Sequence, residues 1–262
     1  MANPTAYDSH GDGQPVILIH GLGLNRHMWQ WQVPDLSSRF RVITYDLLGH
    51  GESDKPTGHY EMSQMVEQIE ELMSRLNLDD AAFVGFSLGG LIARAFALAH
   101  PDKVKAMVIL NSAHARTVAQ RESIMKRVSQ VEAGGPGATV DEALRRWFTE
   151  EFANRCPEVV EKVRSWVLAN DRAIYPEVYR LLAQGDIGLE LSIRDIHCPV
   201  LVATGDEDHG NSVAMADGMA ALMPNAEVAT LPGLRHMALA EDPNAVNSLL
   251  SSFLCEQLGA AA

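Results

Sequence analysis

The stretch Gly85-Phe86-Ser87-Leu88-Gly89-Gly90 constrains this chain more than any other. It stands between Ala81-Ala82-Phe83-Val84, which reads as a buried strand, and Leu91-Ile92-Ala93-Arg94-Ala95-Phe96-Ala97-Leu98-Ala99, which reads as a helix. A G-x-S-x-G pentapeptide at a strand-to-helix junction makes a turn so tight that its flanking positions tolerate almost no side chain. Ser87 is thereby held at the tip, where its hydroxyl can serve as a nucleophile. The helix behind it directs its N-terminal amides and positive dipole end at the place where an oxyanion would form. The pentapeptide alone is moderately specific, and the strand before it and the helix after it are the context it requires.

Around this turn, strand and helix alternate. Val16-Ile17-Leu18-Ile19 is apolar throughout and rich in β-branching, the mark of a strand buried on both faces. Arg41-Val42-Ile43-Thr44-Tyr45 and Ala106-Met107-Val108-Ile109-Leu110 read as further strands, and Met65, Ile69, Leu72, Met73 and Leu76 recur at helical spacing. The residues before Val16 read as a polar opening and a turn. From 115 to 194 the rhythm breaks into helical patterns without a convincing strand, interrupted by Gly134-Gly135-Pro136-Gly137, Pro157 and Pro176. Alternation resumes with Pro199-Val200-Leu201-Val202-Ala203-Thr204-Gly205 and Glu227-Val228-Ala229-Thr230-Leu231. The pattern predicts an α/β fold with a mostly parallel central sheet covered by helices on both faces. A core domain of 1–114 and 195–262 would carry an all-helical cap, 115–194, over the edge where the strands end.

Composition narrows the partners. Lys plus Arg is 21 against 34 Asp plus Glu, a formal charge of −13 spread without acidic or basic blocks. Nucleic acid and anionic membrane surfaces are poor partners for such a chain, and a small-molecule substrate is expected; a homodimer is left open. The three cysteines, Cys156, Cys198 and Cys255, are odd in number and lack metal-ligand spacing, which fits a cytoplasmic setting. The first residues show no basic and apolar leader, and no apolar run is long enough to cross a bilayer. There is no phosphate loop or dinucleotide fingerprint and no H-x-x-x-H spacing, so neither a cofactor nor a metal is expected.

An activated serine needs a base within hydrogen-bond reach and an acid that holds the base in the right tautomer. In an open α/β sheet these come from loops at the carboxyl ends of strands. The loop after 199–205 offers Asp206, Glu207 and Asp208, and the loop after 227–231 offers His236. The order serine, acid, histidine is one such folds use. His50, His100 and His197 sit in turns and read as solvated or capping groups; His209 and His114 could line the mouth of a site, but read first as surface histidines.

With these motifs in this order, the chain resembles the α/β-hydrolase superfamily over nearly its whole length. The resemblance implies Ser87 as nucleophile, Asp208 as the orienting acid, from the Gly205-x-x-Asp208 pattern, and His236 as general base. Where other members carry the acid one strand earlier, this chain has Asn111-Ser112. His20-Gly21-Leu22-Gly23 looks like the family's oxyanion loop, which implies that the backbone amides of Leu22 and Leu88 bind the developing oxyanion, with His20 holding the loop. Asp46-x-x-Gly49-His50-Gly51-x-Ser53 looks like a family signature that shapes a loop.

The segment Arg145-Arg146-Trp147-Phe148-Thr149-Glu150-Glu151-Phe152, followed by Pro157-Glu158-Val159-Val160-Glu161-Lys162-Val163-Arg164, resembles the cap of 3-oxoadipate enol-lactonases. That resemblance implies acyl-enzyme hydrolysis of an ester or lactone of a small organic acid, with Trp147 in the substrate pocket. Such a substrate carries a carboxylate, for which Arg26, Arg145 or Arg146 would supply the cation, and His114 is a further pocket candidate. For Trp147 the apolar face of a cap helix is an equal alternative, and for each arginine the ordinary solvated role is the first reading. Departures at Asp208-His209-Gly210-Asn211 and at Arg235-His236-Met237 leave other reactions open: C–C hydrolysis of ring-cleavage dienoates, cofactor-free haloperoxidase or perhydrolase chemistry, or a silent receptor or scaffold.

Overall fold

The computed structural model describes residues 5–259. Seven strands form one sheet: β1 (Tyr7–His10), β2 (Pro15–Ile19), β3 (Arg41–Tyr45), β4 (Ala81–Phe86), β5 (Val104–Leu110), β6 (Val200–Gly205) and β7 (Ala226–Leu231). Their spatial order is β1-β3-β2-β4-β5-β6-β7, with β1 antiparallel to β3 and every other pairing parallel. The central strands are buried along their length because helices cover both faces, which is why their sequences are apolar runs. Val16, Ile17, Leu18 and Ile19 have no exposed surface at all, and each contributes roughly 1.5–3 kcal/mol by leaving water.

Strand β1 is absent from the sequence reading. Its residues, Tyr-Asp-Ser-His, are largely exposed at the sheet edge, so they carry no apolar pattern; only backbone pairing to Val42, Ile43, Thr44 and Tyr45 makes them a strand.

The helices are α1 (Val33–Leu36), α2 (Met62–Leu76), α3 (Leu88–Ala99), α4 (Val118–Gly134), α5 (Val140–Trp147), α6 (Glu150–Arg155), α7 (Pro157–Leu168), α8 (Tyr175–Gln184), α9 (Leu189–Ser192), α10 (Val213–Ala220), α11 (Ala238–Glu241) and α12 (Pro243–Leu258). Helix α2 opens with a reciprocal capping box between Glu61 and Gln64 and ends on Asn77 in the left-handed conformation. Between β5 and β6 the described chain holds only helices, α4 to α9 with short 3-10 turns. None of the helices among the described residues is long and apolar enough to cross a membrane.

Two close approaches set the geometry of the strand ends. A Cβ on Gly89 would stand 2.1 Å from the carbonyl oxygen of Ile19, so α3 starts in direct backbone contact with the end of β2. A Cβ on Gly205 would stand 2.0 Å from the Leu234 carbonyl, so the loop after β7 crosses directly over the end of β6. Gly89→Ala is therefore expected to lower the melting temperature by about 3–10 °C, the cost of overpacking at a site with no flexible side chain to yield. Gly137→Ala, whose Cβ would meet Leu168 at an ordinary 3.5 Å, serves as the control and should melt within ~1 °C of the wild type. Equal melting of the two variants in a calorimetric scan would refute the close contact.

Candidate active site

Ser87 follows β4 directly and precedes the first residue of α3. It holds φ 55° and ψ −112°, outside the regions an L-residue prefers, and three hydrogen bonds keep it there. Its N–H donates to Leu110 O at 2.9 Å, and its carbonyl accepts from Gly90 N at 3.0 Å and from the Ser112 hydroxyl at 2.7 Å. Ser112 is fixed in turn by Arg94, a fully buried residue of α3 whose Nη2 lies 3.3 Å from the Ser112 oxygen and 2.7 Å from Ala113 O. Burial and the charge of Arg116 push the Arg94 guanidinium down from its ordinary value. Nothing in the sequence marked Arg94 or Ser112 beyond their place near the elbow.

Asp208 and His236 come from the loops that Gly205 brings together. His236 Nδ1 lies 2.7 Å from Asp208 Oδ2, with both side chains nearly buried. The other carboxylate oxygen accepts from the backbone N–H groups of Gly210, 3.0 Å, and Asn211, 3.1 Å. Asn111 Nδ2 donates to Oδ2 at 3.0 Å from the end of β5, where it occupies a left-handed conformation at φ 47°. Burial alone would raise the Asp208 pKa, but the charge and hydrogen bond of His236 and the donors of Asn111 and Asn211 outweigh it, so the carboxyl sits below its ordinary range. The carboxylate accepts a hydrogen bond from Nδ1–H of His236, which leaves Nε2 as the free acceptor of the ring. Asn211 Nδ2 lies 3.1 Å from Nδ1 and 3.4 Å from Asp208 Oδ2, and with Nδ1 already donating, the amide proton goes to the carboxylate.

Ser87, Asp208, His236, Leu22 and Trp147 all line one cavity of about 310 Å3, at the size of a small-molecule site. The Trp147 ring centroid lies 5.9 Å from that of His236, and the Phe86 ring centroid lies 4.9 Å from it. The N–H of Leu88, at the first position of α3, has no acceptor within its helix.

Two buried histidines hold the backbone on either side of Leu22. His20 Nδ1 donates to Gly21 O at 2.8 Å and its Nε2 accepts from Leu47 N at 2.9 Å. His50 Nε2 accepts from Gly23 N at 2.9 Å. His50 is thus no solvated turn residue: it has no exposed surface, and its burial pushes its pKa to about 3. Both rings are neutral because each Nε2 must receive an N–H.

Two pocket candidates are overturned. Arg26 does not reach the cavity: Asp46 Oδ2 at 2.5 Å, Glu52 Oε2 at 2.6 Å and Asp8 Oδ2 at 2.8 Å hold its guanidinium. His114 also lies outside the cavity wall and packs toward Gly218 of α10. Arg145 and Arg146 do line the cavity.

Comparison with known proteins follows the geometry. A family model described as alpha/beta hydrolase fold matches residues 14–130. The (E)-2-((N-methylformamido)methylene)succinate hydrolase of Acinetobacter baylyi is 31% identical over 253 residues, 96% of this chain and 95% of its own. The chain is an α/β hydrolase. A 3-oxoadipate enol-lactonase of the same organism is 28% identical over 93% of this hydrolase and 89% of its own length. Among solved structures, a malate-bound esterase from Thermogutta terrifontis superposes with a TM-score of 0.90 at 28% identity, covering 97% of this hydrolase and 94% of that chain.

An imidazole with a depressed folded-state pKa takes up its proton mainly on unfolding, so the stability it supports is intact above the ordinary 6.5 and drains as pH falls toward the folded value. With His50 at about 3, the loss at pH 5 is about 2 kcal/mol from this residue alone. In His50→Gln the amide oxygen still accepts from Gly23 N–H but does not titrate. Urea unfolding at pH 7.5 and pH 5 should show a pH-dependent loss smaller by about 2 kcal/mol in the variant; an identical loss in both proteins would show that His50 is not buried and neutral.

Proposed function

We propose that this hydrolase cleaves a carboxylic ester or lactone of a small organic acid through an acyl-enzyme on Ser87. The observation that carries this reading is the 2.7 Å contact of Asp208 with His236 Nδ1, which frees Nε2 in the cavity that Ser87 also lines. His236 Nε2 takes the Ser87 proton as Oγ attacks the carbonyl carbon. The tetrahedral oxyanion receives hydrogen bonds from the Leu22 and Leu88 amides, and such a donor is typically worth about 3–4 kcal/mol. Collapse expels the alkoxide, which takes the proton from His236. Water, deprotonated by the same nitrogen, then attacks the acyl carbon and releases the acid and free Ser87. Asp208 keeps its negative charge throughout and stabilises the transient imidazolium. The steps use neither metal nor cofactor.

The same proposal takes 1–114 and 195–262 as the catalytic core, 115–194 as a cap, Trp147 as part of the pocket wall, and the cytoplasm as the site of action. The likeness to an enol-lactonase and to a malate-bound esterase supports a small, acidic substrate. A second reading, cleavage of an acyl bond to nitrogen, draws on the 31% identical relative, whose name carries a formamido group on a succinate. The triad chemistry is the same with a different leaving group.

Organophosphonate labelling should occur on the wild type and disappear in Ser87→Ala, whose kcat on p-nitrophenyl esters should fall about 10,000-fold. Labelling that survives the substitution removes Ser87 as nucleophile. Asp208→Asn is expected to lose a comparable factor while still folding. Across p-nitrophenyl esters, 3-oxoadipate enol-lactone and a ring-cleavage dienoate, turnover of the dienoate alone would replace this reading by C–C hydrolysis.

A further inference from the structure

The charge on the cavity wall runs against that of the whole molecule. The chain carries a net −13, yet five arginines, Arg116, Arg127, Arg145, Arg146 and Arg235, line the cavity with Asp208 as the one carboxylate among its described lining residues. Asp208 is already engaged by His236. Three of the arginines are also committed. Arg116 Nη1 bonds Leu182 O at 2.9 Å and lies 3.4 Å from buried Asp186. Arg235 Nη1 donates to the carbonyls of Arg145, 3.0 Å, and Phe148, 2.9 Å. Arg146 pairs with the exposed Glu142, one turn earlier on α5, at 2.6 Å. Arg145 is exposed.

Arg127, on α4, is different. It is half-buried, has no carboxylate partner among the described residues, and is braced by neutral groups: Nε donates to Tyr179 Oη at 2.9 Å and Nη1 to Ser123 Oγ at 3.2 Å. Desolvation and then the neighbouring Arg127 charge push the Arg146 pKa down; Glu142 offsets part of this on the Arg146 side, while no carboxylate among the described residues pairs with Arg127. Tyr179 is nearly buried and lines the same cavity. Because its oxygen accepts from Arg127, its own proton is free to be donated to a third group. Arg127 Nη2 and the Tyr179 hydroxyl form a donor fork held by α4 and α8, and a monoanionic carboxylate matches its charge and geometry.

We infer that Arg127 and Tyr179 form a carboxylate-binding subsite on the helical side of the cavity, selecting substrates with an anionic group remote from the bond that is cleaved. This rests on the ester or lactone hydrolase reading for its catalytic consequence, but binding by the fork does not require Ser87 chemistry. The subsite assigns specificity to a residue on α4, well before the Arg145-Arg146-Trp147 segment in the chain.

The test compares kcat/KM for p-nitrophenyl hydrogen glutarate, which is anionic, with that for p-nitrophenyl pentanoate, a neutral ester of equal chain length. In Arg127→Met the anionic-to-neutral ratio should fall about 10- to 100-fold, the usual loss of a charge-assisted hydrogen bond. Arg127→Lys should keep part of the ratio, Tyr179→Phe should lower it about 3- to 10-fold, and Arg155→Met, an exposed residue paired with Glu151 away from the cavity, should keep it whole. A ratio unchanged in Arg127→Met overturns the subsite. Thermal shift with glutarate gives a readout independent of turnover: the wild type should be stabilised and Arg127→Met should not. Retained glutarate stabilisation in a protein that hydrolyses neither ester would sink the hydrolase reading and keep the subsite. Hydrolysis with no Arg127-dependent ratio or shift would do the reverse. Should Arg127→Met fail to fold, the Lys and Phe variants carry the same comparison.

Discussion

The backbone of Ser87 is the constraint on which the rest of the site depends. A residue at φ 55° and ψ −112° carries strain on the order of 1–3 kcal/mol, and it persists only when its surroundings over-determine it. They do so from three directions. Strand β5 receives its N–H at Leu110, helix α3 returns the Gly90 N–H to its carbonyl, and Ser112 adds a hydroxyl that Arg94 holds in place. The close contact of Gly89 with Ile19 then fixes the helix against β2. An arginine buried without an ion pair is costly, and here its donors go to Gly90 O, Ser112 Oγ and Ala113 O, all of them next to the elbow. The expense of burying that charge is understandable if it stiffens the one turn that must not relax.

A second layer of polar bonds fixes the loop after β2. His20 and His50, edge to face with ring centroids 5.2 Å apart, grip Gly21 and Gly23, and Asn170 Nδ2 of the helical insert donates to Gly23 O at 2.9 Å. Below them Asp46 accepts the backbone N–H groups of Arg26 at 2.7 Å and Glu52 at 2.8 Å. Burial would raise the Asp46 pKa, but these two amides and the Arg26 charge hold it down. A salt bridge this buried gives little net stability against an apolar replacement, but it allows only one arrangement of the loop. That restriction fixes the backbone on either side of Leu22, whose amide the proposed mechanism uses.

Much of this was legible in the sequence, and the exceptions follow a physical pattern. The parallel sheet, the helical insert and the strand-end loops that offer Ser87, an acid among Asp206, Glu207 and Asp208, and His236 are written in local signals, apolar runs and glycine turns, while the choice of Asp208 comes from the family resemblance. The Asp208–His236 contact, though between residues 28 apart, follows from two neighbouring strand ends. What was not legible depends on who lies nearby in space. Arg26 reads as a free cation because its partners, Asp8, Asp46 and Glu52, are scattered along the chain. His50 reads as a turn residue because no periodicity reports that the loop folds inward. Asn111 could be noted only as a missing acid, whereas in space it supports the acid of the next strand through a 3.0 Å bond to Asp208. Arg127 gave no signal at all, since an arginine on an amphipathic helix ordinarily faces solvent.

The helical insert is also tied to the base itself. Met237 N donates to Trp147 O at 2.9 Å, one residue beyond His236, and Arg235 on its other side donates to the carbonyls of Arg145 and Phe148. Glu241 completes the clamp: it accepts from Thr149 N at 3.0 Å and from Arg235 N at 3.1 Å, so one carboxylate bridges the end of α5 and the loop that carries the histidine. These bonds flank His236 in sequence, and a hinge motion that lifted α5 would have to break them or carry the imidazole away from Asp208. Helices α4 and α8, which carry Arg127 and Tyr179, have no comparable bond to the residues around His236 among those described. The part of the cavity wall carried by α4 and α8 is thereby bonded independently of the part around His236.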